Sequence, residues 1–172
     1  LAQNTTNALT LSRNATVNQK ITLTGDINTG SYVLILGAAS TAEGTGDIWG
    51  TTRRSHTFTN GQAYSYGNSN VSIAFSASGT HPSQVDVKLT KSQPPNYNNN
   101  AVGRYYEITP TGGSGYSATL GLRYLDSELP TRSYDESKFR LLRYNSGWVA
   151  HPVENTTAVP ASNYVECTSV TA

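Results

Sequence analysis

Four acidic side chains in one short stretch have the residue types that could bind a metal ion or catalyse hydrolysis. They are Asp126, Glu128, Asp135 and Glu136. Calcium takes ~6 to 8 oxygen ligands, which close carboxylates and loop carbonyls can supply, so these residues are calcium candidates. A paired-acid glycosidase would need two carboxylates across a cleft lined for sugar. The alternative is that they cap turns and pair with neighbouring arginines, namely Arg123, Arg132 and Arg140.

Aromatic side chains are the second set of residues with a possible functional role. Seven of the eleven tyrosines follow residue 100, with Trp148 among them. Exposed rings in a row on a sheet would stack against the faces of sugar rings. The candidates for this role are Tyr105, Tyr124, Tyr144 and Trp148. The alternative is packing between strands, since tyrosine has a high strand propensity and pairs well across a sheet.

Other catalytic and metal-binding patterns are missing from the sequence. The three histidines are scattered and Cys167 is the one cysteine, which excludes an intrachain disulfide and a thiolate zinc site. No serine lies in a nucleophile elbow with an identifiable base. The glycine-rich stretch 111–115 lacks the lysine and following helix of a phosphate loop, and is predicted to be a hairpin loop. We therefore predict no enzymatic activity, no catalytic residue and no cofactor beyond the calcium candidates.

The composition narrows the partners and the location. Twelve Lys and Arg against eleven Asp and Glu give a net charge of +1, too small for the electrostatic footprint that nucleic acid requires. No stretch approaches the ~18 uninterrupted apolar residues that a membrane span needs. The sequence contains no methionine and opens with Leu1-Ala2-Gln3, which has the small-residue character of a signal-peptidase boundary. We expect a secreted, extracellular or cell-surface protein.

The elements that must position these side chains are strands. Short period-two alternation, separated by Gly, Asn, Pro and Ser clusters, predicts an all-β fold. Alternate residues of each strand would lie on one buried face, as in an antiparallel sandwich. The predicted inward positions are Val71, Ile73, Phe75, Val85, Val87, Leu89, Leu120, Leu122, Leu141 and Trp148.

The first fifty residues show a loose repeat of short apolar segments. Their last leucines, Leu11, Leu23 and Leu36, fall 12 and 13 residues apart. Such spacing is typical of a β-solenoid, in which each strand stacks on its predecessor, and three meander strands would give a similar pattern. We predict a solenoid-like or meander β layer over residues 1–60 and an antiparallel β-sandwich over residues 61–172. Within the sandwich, the Pro- and Asn-rich stretch 92–100 is predicted to be a solvated loop.

Several stretches are distinctive as motifs. They are ITLTGDINTGSYVLILG (21–37), YSYGNSNVSIAF (64–75), GRYYEITPTGGSGYSATLGLRYLDSEL (103–129), FRLLRYNSGW (139–148) and NYVECTSVTA (163–172). With them the chain resembles a family of bacterial secreted surface proteins in which a short β-helix-like stretch precedes a terminal β-sandwich. The resemblance implies export and architecture and names no catalytic residue. Proteins of this kind usually run past the V-T-A with a further strand containing Phe-Ser and Trp.

The lack of that strand predicts an open edge on the sandwich. Its unpaired N–H and C=O groups and apolar groove would accept a strand from another chain. The candidate donor is the N-terminal segment through Val17, where Leu9 and Leu11 alternate. A donor inserted into the next subunit makes a head-to-tail contact that propagates unless rotation closes it into a ring. The expected function is a non-enzymatic structural subunit of a filament or surface layer, and the alternative is a carbohydrate-binding or adhesive module.

Overall fold

The computed structural model describes residues 2–3, 8–97, 101–130 and 135–171, and strands dominate it. The first seven are β1 (Ala2–Gln3), β2 (Leu9–Thr10), β3 (Ala15–Val17), β4 (Lys20–Leu23), β5 (Ile27–Leu36), β6 (Thr41–Gly44) and β7 (Ile48–Ser55). The others are β8 (Ala63–Ser65), β9 (Ser72–Phe75), β10 (Gln84–Thr90), β11 (Tyr105–Thr111), β12 (Ser117–Arg123), β13 (Leu142–Tyr144), β14 (Trp148–Ala150), β15 (Thr156–Val159) and β16 (Tyr164–Thr171). The all-β prediction is confirmed.

Helical structure in the described ranges is limited to short 3₁₀ turns. They are Asp126–Glu128, Glu136–Lys138, Val153–Asn155 and Pro160–Ser162. Within those ranges, no helix has the length and apolar character needed to cross a membrane. The 3₁₀ turn after Asp135 is capped by that carboxylate, which accepts a hydrogen bond from the Ser137 backbone N–H at 3.2 Å.

The first seven strands stack in parallel, in two alternating sheets. One sheet has the order β1-β4-β6, and the other contains β2 and β3, then β5, then β7. Leu34 of β5 pairs with Ala15 on one side and Thr52 on the other, positions 19 and 18 residues away. Thr22 of β4 pairs with Glu43 of β6, 21 residues on. Each of these strands therefore pairs in parallel with one about 20 residues away, and not antiparallel with the next strand in sequence as in a meander.

The repeat length predicted from the leucine spacing is wrong. Leu23 ends β4 and Leu36 ends β5, and these strands belong to different sheets. Consecutive apolar segments therefore lie side by side around one turn, whereas stacked strands are 18 to 21 residues apart. The spacing of 12 or 13 residues is the distance along the chain from a strand of one sheet to a following strand, which lies in the other sheet. Each turn contains one apolar strand from each sheet.

The parallel stack encloses an aliphatic core. Ile21, Leu23, Ile27 and Leu34 have no exposed surface. The other members of the cluster are Val17, Leu36, Ala42 and Ile48. Because each apolar side chain lies above its equivalent in the next turn, the two sheets bury one continuous stripe, which burial of apolar area stabilises.

The remaining strands build an antiparallel sandwich. One face is the extension of the second stack sheet through β7, β10 and β11, and the facing sheet has the order β15-β16-β12-β9-β8. Seven of the ten predicted inward positions are buried, and six of them, all but Leu89, form one cluster that also contains Phe58, Tyr64, Tyr66, Tyr116 and Ala118. The exceptions, Leu122, Leu141 and Trp148, are half-buried. All three lie on one side of the sandwich, where the core is incompletely covered.

The glycine-rich stretch 111–115 is not a hairpin loop. β11 and β12, which it connects, belong to different sheets, so the chain crosses the sandwich here. Thr80 and Ser114 form a bridge that holds the crossing against the turn before β10. At Gly113, with φ +76°, a Cβ would lie 2.7 Å from the Thr80 carbonyl oxygen, so this close approach requires glycine.

Strand β7 belongs to both parts of the fold. It pairs in parallel with β5 and antiparallel with β10, so one sheet continues across the predicted boundary at residue 60. Its Arg54 is fully buried and donates to the carbonyl oxygens of Gly37 at 2.7 Å, Ser40 at 2.8 Å and Ser65 at 2.9 Å. The guanidinium also lies 5.5 Å from the Tyr64 ring centroid. Arg54 thereby joins a corner of the stack to β8 of the sandwich.

A second buried group of charges joins the same two parts. Asp47, just before β7, accepts from Arg104 at 2.9 Å and from Arg123 at 2.8 Å, and Lys91 lies 3.2 Å away. Glu128 accepts from the other side of Arg104 at 2.8 Å. Burial by itself would raise the pKa of Asp47, but the surrounding cations outweigh it and hold that pKa below its ordinary value.

Candidate functional site

One side of the sandwich exposes its core to a groove. This open groove lies beside β11, has a volume of about 580 Å³ and reaches side chains of both sheets. Its lining includes Ile73, Phe75, Val85, Tyr106, Ile108, Thr109, Tyr116, Ala118, Leu120, Leu141, Trp148 and Val170. Apolar surface of this extent in a concave site is typical of a place where another molecule docks.

The groove is bordered by an unpaired strand edge. β11 is the terminal strand of its sheet and pairs only with β10 among the described strands. Its outer backbone groups are therefore free for another strand over Tyr105–Thr109, and Pro110, which has no N–H, ends that stretch. An unpaired edge beside an apolar concavity is the arrangement that strand addition uses.

The hairpin β13–β14 covers the groove only in part. In the described chain its two strands pair with each other and with no other strand. Tyr144 and Val149 on this hairpin are 51% and 61% exposed. Leu141, just before β13, lines the groove and packs against the sandwich core. The hairpin therefore lies across the open side without becoming part of either sheet.

A second concavity, the aromatic cleft, adjoins the open groove. Its volume is about 370 Å³, within the range of small-molecule sites. Six aromatic residues line it: Tyr97, Tyr105, Tyr106, Tyr124, Phe139 and Trp148. Four cationic residues line it as well: Arg104, Arg123, Lys138 and Arg140. Among the described lining residues there is no Asp or Glu, so the cleft is both aromatic and cationic.

Trp148 fixes the arrangement of rings at the mouth of the cleft. Its indole Nε1 donates to the Pro95 carbonyl oxygen at 2.8 Å, which ties the hairpin to the loop after β10. The Tyr97 and Tyr144 rings pack edge-on against it, with centroids 5.8 and 5.3 Å away. The interplanar angles are 77° and 62°, so the three rings form a corner and not a flat row.

The cationic side chains of the cleft differ in how far they are neutralised. Arg104 and Arg123 are bound to Asp47, as described above. Lys138 pairs with Asp135 at 3.0 Å and is largely exposed. Arg140 is exposed and has no carboxylate within 4 Å among the described residues. Arg140 is therefore the cation of this cleft that is most available to an anionic ligand.

Behind Arg104 the cleft has a fixed polar floor. The Tyr106 hydroxyl donates to the Arg123 carbonyl oxygen at 2.8 Å and receives a bond from Arg104 at 3.1 Å. Burial raises the pKa of Tyr106 to about 12 despite the neighbouring guanidinium, so the phenol stays protonated at neutral pH. The floor therefore offers no further negative charge.

Three of the four predicted stacking residues line this cleft. Tyr105 and Trp148 are half-buried at its sides. Tyr124 is only 3% exposed, and its hydroxyl donates to Glu136 at 2.7 Å, so its ring belongs to the floor. Tyr144 lies at the rim, in contact with Trp148. The structure thus brings the four residues to one side of the molecule, without the flat exposed row that the sequence suggested.

The four calcium candidates bind protein groups instead of converging. Asp126 accepts from the Asn163 side chain at 2.7 Å, and Glu128 pairs with Arg104. Asp135 caps a turn and pairs with Lys138, while Glu136 accepts from Tyr124. Across the described residues there is no group of three His, Cys, Asp or Glu side chains placed to hold a metal ion. Of the arginines proposed as partners, Arg132 lies outside the described residues.

The predicted donor residues take part in the chain's own stack. Leu9 of β2 pairs with Ile27 of β5, but its side chain is 44% exposed. Leu11 packs against the stack core from outside, and Val17 is buried within it. Leu9 and Leu11 therefore lie at the margin of the stack core, whereas Val17 is part of it. Residues 1 and 4–7 of the donor segment lie outside the described residues.

Sequence reasoning missed several residues of the cleft. Tyr97 lies in the stretch 92–100, which was predicted to be only a solvated loop, yet it contacts Trp148. From the sequence alone, Arg140 has a role only as a partner of the acidic residues, Phe139 is only part of a motif, and Lys138 has no role in binding. A signal was present, since an aromatic residue inside a Pro- and Asn-rich loop is unusual for a plain connection. Their meeting around one cleft depends on long-range packing that no local pattern encodes.

Comparison with known proteins finds no match: no family model, no curated protein and no solved structure corresponds to this chain. The resemblance to bacterial secreted surface proteins stays a prediction. Its coarse part, a mostly β chain with sheets arranged as a sandwich, agrees with the structure.

Proposed function

We propose that this protein is a non-enzymatic, extracellular structural subunit whose sandwich accepts a β-strand from a neighbouring copy. The observation that carries the proposal is the open groove: an unpaired edge, Tyr105–Thr109 of β11, lies beside an apolar concavity lined by the half-buried Ile108 and by core residues such as Phe75. An added strand would gain backbone hydrogen bonds from the edge and would bury alternate side chains in the groove.

The N-terminal segment before β3 is the donor in this proposal. Leu9 and Leu11 alternate, so both point to the same face of an extended strand. β2 is a two-residue strand, and Leu9 is 44% exposed, so releasing it breaks few contacts in its own chain. Val17 is excluded from the donor because it is buried in the stack core, which narrows the segment predicted from the sequence.

The positions of donor and acceptor determine the kind of assembly. β11 and β2 are the two opposite ends of one sheet with the order β11-β10-β7-β5-β2. A contact between the first edge of one copy and the other edge of the next is heterologous, and it repeats unless the rotation closes a ring. This favours a linear homopolymer, held without a disulfide because Cys167 is buried and free.

Cysteine pairing between two different variants tests the contact directly. One preparation carries Leu9→Cys and the other carries Thr109→Cys, both at exposed positions, and the two are mixed under mild oxidation. We expect a covalent dimer that contains one copy of each. The control replaces Thr109→Cys with Ala77→Cys, which is exposed but lines a different concavity. Equal crosslinking in both mixtures, or none in either, contradicts the proposal.

Loss of the donor tests assembly itself. The full chain is expected to form filaments visible by electron microscopy, and deletion of residues 1–12 is expected to leave a monomer with unchanged strand content by circular dichroism. Leu9→Lys makes the same test in the full chain, because a charge on this exposed side chain does not disturb the stack core. A monomeric full chain at high concentration, measured by light scattering, would rule out the proposal.

A further inference from the structure

We infer that the aromatic cleft is a binding site for acidic oligosaccharides, with sugar rings against the Tyr97–Trp148 corner and a sugar carboxylate on Arg140. This inference concerns a concavity next to the open groove and does not depend on strand exchange. The cleft volume of about 370 Å³ suits one or two sugar rings.

The aromatic surface supplies the sugar-binding part of the argument. The hydrogen bond from Trp148 to the Pro95 carbonyl, and the edge contact with Tyr97, hold the indole in place before any ligand arrives. A prearranged ring loses little conformational freedom on binding, which favours affinity. Because the two rings meet at 77°, one ring of a bent glycan can face Trp148 while its neighbour faces Tyr97.

The charge of the cleft selects the acidic class. Arg140 is exposed without a carboxylate partner among the described residues, and Lys138 lies two positions before it on the same wall. A guanidinium presents donors that match the two oxygens of a carboxylate. The described lining contains no acidic side chain, so nothing in it repels an anionic ligand.

An acidic peptide is the main competitor, and the lining favours the sugar. The walls include side chains from the loop after β10, the 3₁₀ turn at Glu136–Lys138, the hairpin β13–β14 and the start of β11. The hairpin β13–β14 and the first residues of β11 have unpaired strand edges of the kind that a peptide backbone pairs with, whereas the loop after β10 and the 3₁₀ turn have none. Ring faces and a single available guanidinium fit a carboxylated sugar better.

Calorimetric titration of the full chain with an oligomer of galacturonic acid tests the inference. We expect saturable binding, and we expect Arg140→Gln to weaken it about tenfold, the effect of losing one charge-assisted hydrogen bond. Arg13→Gln removes an equal charge from an exposed position on the stack and should leave the affinity unchanged. Trp148→Phe keeps a ring and should retain part of the binding, whereas Trp148→Ala should abolish it.

Three results would overturn the inference. A neutral galactose oligomer that binds as tightly as the acidic one shows that the charge of Arg140 is irrelevant. Oligoglutamate that binds equally well shows an acidic-peptide site instead. Equal weakening by Arg140→Gln and Arg13→Gln shows a diffuse electrostatic attraction and not a site. Because β2 and β11 lie at opposite ends of one sheet, the same titration on the strand-deletion variant separates this result from the proposed function.

Discussion

The parallel stack and the antiparallel sandwich bury similar apolar side chains but enclose them differently. Ile21 and Leu34 of the stack have no exposed surface, whereas Ile73 and Leu120 of the sandwich line the open groove. In the stack, two sheets joined by short corners close around each turn. In the sandwich, β11 and the β13–β14 hairpin leave a gap at one side. Alternation of apolar and polar residues along a strand is therefore enough to bury side chains. Whether the core is sealed depends on whether the outer strands of the two sheets are covered.

The largest expected effect is at the joint between the two parts. Asp47→Asn removes the carboxylate that Arg104 and Arg123 share, and leaves those cations buried without their common partner. We expect a loss of about 3–5 kcal/mol in the free energy of unfolding. Urea unfolding followed through Trp49 of β7 and Trp148 of the hairpin measures it in each part. Asp135→Asn, at an exposed ion pair that solvent screens, is the control and should cost far less.

The same group predicts the direction of acid unfolding. Because the pKa of Asp47 is lowered in the folded protein, its ionised form contributes stability that is complete above the ordinary value of 3.8. That contribution is lost as the pH falls through the lower folded pKa. The Asp47→Asn variant should therefore lose less stability than the wild type over that acidic range. A wild type and variant with parallel stability curves below pH 4 would contradict the role given to Asp47.

Truncation of one leucine in each core sharpens the comparison. Leu34→Ala leaves a cavity in a sealed core and should cost about 2–5 kcal/mol. Leu141→Ala removes a half-buried side chain beside an existing groove, so we expect less than half of that loss. Denaturant midpoints at constant slope give both values. Equal losses would mean that the sandwich is as well sealed as the stack.

The sequence predicted those parts of the architecture whose pattern lies within a single strand. Val85, Val87 and Leu89 alternate within β10, so their burial was readable from one strand. The repeat of apolar strands in the stack was predicted, but its length was wrong. Spacing along the chain does not show which strands pair. The crossing at 111–115 was mistaken for a hairpin since glycine-rich turns look alike in both cases.

The candidate sites were less predictable than the fold. Tyr105, Tyr124 and Trp148 were identified by residue type, and the structure places them around one cleft. Tyr97 and Arg140 come from segments on either side of β11 and β12, and their proximity depends on the packing of the whole sandwich. The partners of Asp126 and Glu128 likewise depend on Asn163 and Arg104, which are distant along the chain.

Two glycine substitutions, with a smaller expected effect, separate steric contact between stacked strands from the strain of a positive φ alone. Gly44 lies in β6 with φ +98°, and a Cβ there would be 2.0 Å from the Leu23 carbonyl oxygen of the adjacent turn. Gly30 in β5 has φ +59° and open space around the same position. We expect Gly44→Ala to cost about 2–3 kcal/mol and Gly30→Ala about 1 kcal/mol in thermal unfolding. Similar costs would show that adjacent turns of the stack yield easily.

Strand β7 has a mechanical consequence. It is hydrogen-bonded along one edge to β5 and along the other to β10, and Arg54 attaches it to carbonyl groups of both parts. A force applied along this strand must shear two rows of backbone hydrogen bonds together, because the hydrogen bonds of a row loaded along the strand do not break one at a time. In an atomic force microscope the molecule should therefore rupture as one unit at β7, at a force governed by its unfolding rate.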